Sequence, residues 1–541
     1  MHVSKENCRK TSIGRNLPAF LRESKMARRA GGRQARKALR AAPLAEEVKP
    51  VHPGETGGQY RPLNDSDIAA ILKNIYRILE EVGFGDATPH CIEACTAYGA
   101  VMGDDGRLKM PRDVVDKALA DCRRDLVLHG QDPKHDLDIT GSKVHFATAG
   151  AAVMIADVES NSYRDSTAQD LYDLARITDT CEHIHMFQRM CVLRDISDNY
   201  ELDINTVYLS VMGTSKHVGS SWVHHSNVEK SLEMLHLIAG GEDQWRARPF
   251  VSQSNCFVVP PMKFTEDALG CLRAAVEGGM PVLLLSAGQA GATTPACLAG
   301  AISQAWAECL GGLVYVNAIE PGAPAILGCW PFVSDLRTGA MSGGSGEQAV
   351  LMAACGQMGR FYDLPTGIAA GMADSKLPDA QSGYEKAYTD ILAGHSGANL
   401  IYESAGMQAS LLGACYESYV IDNDMLGAIN RTMRGIEVTE ESLSIEAMRE
   451  ACMGGPNHFL GHDQTLELMQ SEYIYPEVGD RGSPKEWREQ GSSNVVERAK
   501  TRVDEVLASH FPAHIDDELD AELRERFNVK LPRGRMLPGA D

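Results

Sequence analysis

Between residues 143 and 403 the chain alternates short apolar runs with amphipathic helical stretches, eight times over. The runs fall at 144–148, 184–188, 217–223, 250–255, 281–286, 325–328, 366–370 and 399–403. Helical stretches lie between them at 168–180, 228–238, 265–277, 298–316, 347–361 and 384–393. Parallel strands need long crossovers, and eight strand–helix units close naturally into a cylinder. The pattern therefore predicts an α/β fold built on a (β/α)8 TIM barrel. A doubly wound open sheet is the competing architecture. It is disfavoured because no Gly-x-Gly-x-x-Gly follows an early strand and because polar residues cap many different strands rather than lining one crevice.

The flanks read differently. Residues 1–50 hold 13 Lys and Arg against 4 Asp and Glu, so they form a basic arm on a chain whose overall charge is −21. Residues 51–142 form an N-terminal helical region. Its first helix runs over 63–82, with Ile68, Ile71, Ile75, Ile78 and Leu79 on one face, Asn64 or Asp65 as cap and Gly83 as stop. Pro111 opens a later helix toward Cys122. The barrel occupies 143–460, and 461–541 is a helical extension with a polar tail beyond Pro512 lying on the surface.

Charge and cysteine usage exclude several classes. Outside the arm the body is strongly acidic and repels phosphate backbones, so nucleic acid is not the expected partner. No apolar run is long enough for a membrane span. Fourteen cysteines are present without a CxxC pair. Most sit in apolar runs, as Cys256, Cys271, Cys297, Cys309, Cys355 and Cys415 do, and read as reduced buried thiols of a cytoplasmic protein. His224 and His225 are adjacent and point apart on a strand. His183 and His185 share a face, but no metal motif accompanies them, and no metal site is expected.

Chemistry concentrates where strands end. Glycines crowd three consecutive stretches within 286–346, including Gly288, Gly291, Gly343 and Gly344. On a barrel these loops make the C-terminal rim, and their glycines suggest a broad opening for something large. After the seventh run comes Ala373-Asp374-Ser375-Lys376-Leu377-Pro378-Asp379-Ala380-Gln381, a polar cluster that Pro378 keeps out of a regular helix. Glu403 ends the eighth run beside Tyr402, and inward placement would let it meet the Asp374 loop. Asp374, Lys376 and Glu403 are the candidate catalytic residues. Aromatics lie near strand ends at Trp222, Phe257, Trp330, Phe332, Tyr402 and Tyr419. Rings beside acidic groups suit a quaternary ammonium, which neither donates nor accepts a conventional hydrogen bond.

These motifs resemble those of the trimethylamine methyltransferase family. The matching pieces are Gly291-Ala292-Thr293-Thr294-Pro295 running into Leu298-Ala299-Gly300, Asn317 with Pro321-Gly322-Ala323-Pro324, the Asp374 loop, and Ala398-Asn399-Leu400-Ile401-Tyr402. Further matches are Leu79-Glu80-Glu81-Val82-Gly83, Leu128-His129-Gly130, and the late His462, Tyr475-Pro476, Asp480-Arg481 and Trp487. The resemblance implies a barrel that moves a methyl group from a methylated amine to the cobalt of a corrinoid held on a separate corrinoid protein. Trimethylamine enzymes of the family contain pyrrolysine, whereas this sequence has only the standard twenty residues. It is similar to the branch acting on quaternary amines, with glycine betaine as the leading donor. The resemblance then implies a trimethylammonium cage of Trp330, Phe332 and Tyr402, with Lys376, Arg337 or Gln381 for a substrate carboxylate. Gly288, Gly291, Gly343 and Gly344 would face the corrinoid, and closely packed outer helices imply a homo-oligomer. The alternatives are another barrel enzyme, such as a lyase or a zinc-dependent thiol methyltransferase, or a non-catalytic module that binds a quaternary amine or a corrinoid protein.

Overall fold

All eight apolar runs become strands, and their pairing closes a ring. The structure, a computed structural model, describes residues 46–539. Its barrel strands are β1 (Lys143–Thr148), β2 (Met186–Gln188), β3 (His217–Ser220), β4 (Val251–Gln253), β5 (Val282–Ser286), β6 (Ala325–Cys329), β7 (Thr366–Ala369) and β8 (Leu400–Ala405). Each pairs in parallel with the next, β8 returns to β1, and β1 pairs with β2, so no edge is left. The crossover helices are α1 (Ala168–Thr180), α2 (Asn199–Gly213), α3 (His225–Ala239), α4 (Glu266–Glu277), α5 (Leu298–Ile319), α6 (Gly346–Tyr362), α7 (Ala380–Ser396) and α8 (Tyr416–Arg434).

Two helices escape the sequence reading, and the cause is visible in each. From Asp203 to Gly213, α2 is buried on every side, so it carries no polar stripe to mark its period. In α8 the buried positions include Asp422, Asn423 and Asn430, which interrupt the apolar spacing. By contrast α5 is long and almost wholly buried, and its continuous apolar run was legible.

The N-terminal helices pack on α5. Asn64 caps the first through a reciprocal capping box with Asp67, and Gly83 ends it after a π turn over Ile78–Val82. Phe84 follows, stacked on Phe264 with ring centroids 4.4 Å apart. Gly311 of α5 leaves room for that ring, since a Cβ there would lie 2.3 Å from it. A short strand, Glu55–Thr56, adds antiparallel to β1.

Toward the other end, Val495–Ser509 is an amphipathic helix of the C-terminal extension. The expectation of a merely surface-lying tail beyond Pro512 is corrected. Asp517–Phe527 is a further helix whose Leu523 and Phe527 are buried, and its buried Asp520 accepts from the Tyr208 hydroxyl and pairs with Arg524 and Arg533. Thr439–Tyr473 and residues 46–50 form a second unit, which contains the short helices Ile445–Cys452 and Asp463–Leu468. The basic arm, apart from residues 46–50, lies outside the described residues. The reading of all apolar-run thiols as buried is corrected at Cys256 and Cys297, which are exposed because they sit in the loops after β4 and β5. No helix among the described residues is long and apolar enough to cross a membrane.

Gly311→Ala should therefore destabilise the protein by about 1–3 kcal/mol, the usual cost of overpacking a closed contact. A fall in the urea midpoint relative to wild type checks this, and an unchanged midpoint would show that the N-terminal helices do not depend on the contact.

Candidate active site

Two glycines reveal which side chains fill the barrel. A Cβ on Gly367 of β7 would lie 2.7 Å from the Tyr402 ring of β8 and 3.2 Å from Leu283 of β5. Strands β5 and β8 are not neighbours, so Leu283 and Tyr402 meet in the interior. Gly219 of β3 does the same between β2 and β4: its Cβ would lie 1.8 Å from Gln188 Oε1, and Gln188 Nε2 donates to Ser254 Oγ at 2.6 Å, just past β4. Trp330, just past β6, joins the upper layer by donating its Nε1–H to the Gly367 carbonyl at 3.1 Å. Its ring centroid stands 5.3 Å from that of Tyr402 and 6.1 Å from that of Phe332. All three rings are buried.

Alternation along β8 would turn Glu403 away from this layer, but the strand is irregular there. Ile401 pairs with Phe146 and the next partners are Ala405 and Thr148, so β8 carries two extra residues between them. Glu403 takes a left-handed φ of 69° within the excess. Its carboxyl reaches Gly150, just past β1, whose N–H donates to the two oxygens at 3.2 and 3.1 Å. A Cβ on Gly150 would lie 3.1 Å from Gln188 Cγ and 3.6 Å from Glu403 Oε1, so Glu403 and Gln188 flank one glycine at the mouth. Burial pushes the Glu403 carboxyl up to about 8, against a small opposing effect of the Gly150 N–H. Tyr402 Oη, Gln188 Oε1 and Ser252 Oγ are buried without a hydrogen-bond partner among the described residues. Such atoms in a barrel interior mark where a polar ligand or water belongs.

The Asp374 loop is a second, self-contained cluster. Asp374 accepts from Ser342 Oγ at 2.6 Å, Gly343 N–H at 2.8 Å and Ser410 Oγ at 2.7 Å, so it is bonded to the neighbouring rim loops and not to Glu403. Exposed Lys376 donates to the Asp374 carbonyl at 2.6 Å, and Gln381 donates to Glu385 at 2.8 Å. Arg337 forms an ion pair with Asp335 at 2.6 Å, with its side chain 88% exposed. The four glycines face protein atoms. A Cβ would come within 2.3 Å of Thr294 at Gly288, 2.5 Å of Leu336 at Gly291, 2.8 Å of Met372 at Gly343 and 2.6 Å of Glu385 at Gly344. Gln188, Ser254 and Gly150 were not singled out from the sequence. A polar residue at the end of a very short strand was the one available signal, and it is weak.

Behind β8 lies a buried ion pair. Lys386 Nζ of α7 meets Asp422 Oδ2 of α8 at 2.6 Å, and the same oxygen accepts the N–H of Gly406, the residue after β8, at 2.8 Å. Among the described residues no group of three or more His, Cys, Asp and Glu is placed to hold a metal ion.

Two outcomes follow. Lys386→Met leaves Asp422 buried and uncompensated and should cost roughly 3–5 kcal/mol, with much of the loss recovered in the Lys386→Met/Asp422→Leu double variant; chemical denaturation of the three proteins checks it. Glu403 ionises in the unfolded chain near 4.5 but in the folded chain only near 8, so the folded state binds the extra proton between these values. Stability conferred by that proton is complete below about pH 4.5 and is lost as pH rises through 8. Relative to Glu403→Gln, wild type should lose thermal stability across that window, and parallel melting curves at all pH values would contradict it.

A family model, trimethylamine methyltransferase (MTTB), matches residues 29–530. A glycine betaine methyltransferase of Desulfitobacterium hafniense is 29% identical over 473 residues, covering 87% of this chain and 97% of that protein. The trimethylamine methyltransferase MttB of Methanosarcina thermophila is 30% identical over 473 residues, covering 86% and 96%. The crystal structure of the Methanosarcina barkeri monomethylamine methyltransferase MtmB superposes with a TM-score of 0.45 at 11% identity, over 84% of this chain and 95% of that one. With the family model spanning both flanks as well as the barrel, the chain belongs to the trimethylamine methyltransferase family.

Proposed function

We propose that this chain demethylates a quaternary amine, with glycine betaine the leading donor, and delivers the methyl group to the Co(I) corrinoid of a separate corrinoid protein. The observation that carries the reading is the pairing of the Trp330 and Tyr402 rings in the barrel interior, with Glu403, the residue after Tyr402, turned to Gly150 and Gln188 at the mouth. Two rings 5.3 Å apart and one carboxyl group suit a cation that cannot hydrogen-bond. The similarity to a protein named glycine betaine methyltransferase, and a sequence of standard residues only, favour a quaternary over a tertiary amine. A tertiary amine leaves poorly unless its nitrogen is activated, whereas a quaternary nitrogen departs as a neutral tertiary amine.

The corrinoid, as methyl acceptor, supplies the cobalt nucleophile. The chain's own work is binding, orientation and exclusion of water. Trp330, Phe332 and Tyr402 would hold the methyl groups, Glu403 would face the positive charge, and Gln188, Tyr402 Oη and Ser252 offer polar atoms for the rest of the substrate. Lys376, Gln381 and Asp374 then serve to build the rim rather than to touch substrate. The rim also suits a docked acceptor. Val223, Val259, Leu336 and Leu412, in the loops after β3, β4, β6 and β8, are apolar and 44%, 47%, 70% and 51% exposed.

The test is a visible-spectrum assay with a reduced corrinoid protein, offering glycine betaine, carnitine, proline betaine and trimethylamine in turn. Conversion of the Co(I) spectrum to methyl-Co(III) with a quaternary amine is the expected result, and conversion with trimethylamine alone would overturn the reading. Trp330→Ala and Tyr402→Ala should each lower kcat/KM about 3- to 30-fold, the worth of one cation–π contact. Arg337→Ala should leave it within about twofold, because a surface ion pair contributes little.

A further inference from the structure

We propose that Glu403 is a neutral acid in the free protein and becomes the counter-ion of the ammonium group when a quaternary amine enters, so that each binding event releases one proton to solvent. The inference rests on the reading of the barrel mouth as a quaternary-amine site and adds what makes that site selective for positive charge.

Geometry comes first. Glu403 is 2% exposed and sits at a left-handed φ of 69°. A bulky residue in that conformation is strained, and such strain persists where the surrounding structure requires a side chain in one place. The place is the interior mouth, beside Gln188 and following Tyr402. A buried carboxylate is normally stabilised by two or three donors or by a cation. Glu403 has the single N–H of Gly150, shared between its oxygens.

Among the described residues no neighbouring element supplies the missing charge. The end of β1 offers backbone, β2 offers Gln188 and, just past it, Arg189, whose guanidinium interacts with Asp203, and β7 (Thr366–Ala369) has no ionisable residue. From α7 come Lys386, Asp390 and Glu385. Lys386 is spent on Asp422 of α8 at 2.6 Å, and Glu385 accepts the Asp374 and Ser375 amides at 2.7 and 3.3 Å. Burial, reinforced by Asp422, holds Asp390 well above the usual carboxyl range. Burial likewise raises the Tyr402 phenol and, on α8, Glu417. The free site thus holds a carboxyl group with one backbone donor and Gln188 beside it, in keeping with its rise to about 8.

A quaternary ammonium changes the balance. It brings a fixed positive charge that cannot lose a proton, and an opposite charge within about 4–6 Å favours the ionised acid by one to three pH units. The O–H bond of Glu403 breaks, its electron pair stays on the carboxylate, and the proton leaves to solvent. The Gly150 N–H then donates to a charged oxygen, which strengthens that bond.

Calorimetric titration of the full chain with glycine betaine, carnitine and proline betaine, in buffers of different ionisation enthalpy, tests this. At pH 7 release of about 0.4 to 0.9 proton is expected, with affinity rising about two- to eightfold between pH 6 and pH 7 and levelling off above pH 9. Glu403→Gln should bind more weakly, at pH-independent affinity and without proton release. The wild-type titration is decisive even if that variant fails to fold. Binding at pH 7 without proton exchange, with equal affinity at pH 6 and pH 9, would overturn the inference and leave the quaternary-amine reading standing. That is the result expected if Glu403 instead stays protonated and donates to a substrate carboxylate. Proton release unchanged in Glu403→Gln would also overturn it. Absence of binding by all three amines, together with absence of methyl transfer, would overturn both.

Discussion

Closure of the ring between β8 and β1 is the constraint from which the site follows. A parallel barrel leaves no free edge only if its last strand registers with its first. Here the seam is met with two extra residues on β8 between Ile401 and Ala405. That excess lets consecutive residues, Tyr402 and Glu403, both serve the interior, where regular alternation would give one of them to the helices. The Lys386–Asp422 pair lies behind the seam and holds the Gly406 N–H that ends the irregular stretch. Closure, a buried ion pair and a strained backbone thus act on the same few residues.

The interior is shaped as much by small residues as by large ones. Gly219 and Gly367 let side chains from non-adjacent strands meet above them, Gln188 with Ser254 and Leu283 with Tyr402. The result is an interior with a polar pair, Gln188 and Ser254, and an aromatic pair, Trp330 and Tyr402, with Glu403 beside Gln188. Such an arrangement suits the proposed substrate, since a quaternary ammonium is held by charge without a hydrogen bond.

Much of the fold was legible because strand-length apolar runs and amphipathic helices have distinct periods. The eight strands, α1 from Ala168 to Thr180, and Asn64 as a cap could all be read. What could not be read depended on burial that the chain creates only once folded. The period of α2 disappears because every face is covered, and the helix Asp517–Phe527 buries only Asp520, Leu523 and Phe527, too few apolar positions to mark a period. At the site, Trp330, Tyr402 and Glu403 were singled out because they end strands. The turning of Glu403 toward Gly150 was not legible, since it rests on a register shift between strands more than 250 residues apart in sequence. The glycine-rich rim had the opposite fate. Its glycines were conspicuous in sequence, yet Gly343 and Gly344 are small because Met372 and Glu385 press against them.

The central claim, that the ammonium sits between the aromatic wall and Glu403, is tested most directly by diffraction from crystals soaked in arsenobetaine, whose arsenic replaces the quaternary nitrogen and marks its position by anomalous scattering. One strong peak is expected within about 6 Å of the Trp330 and Tyr402 ring centroids, with the Glu403 carboxyl as the nearest charged group. A peak beside Asp374, with the barrel mouth empty of arsenic, would contradict it.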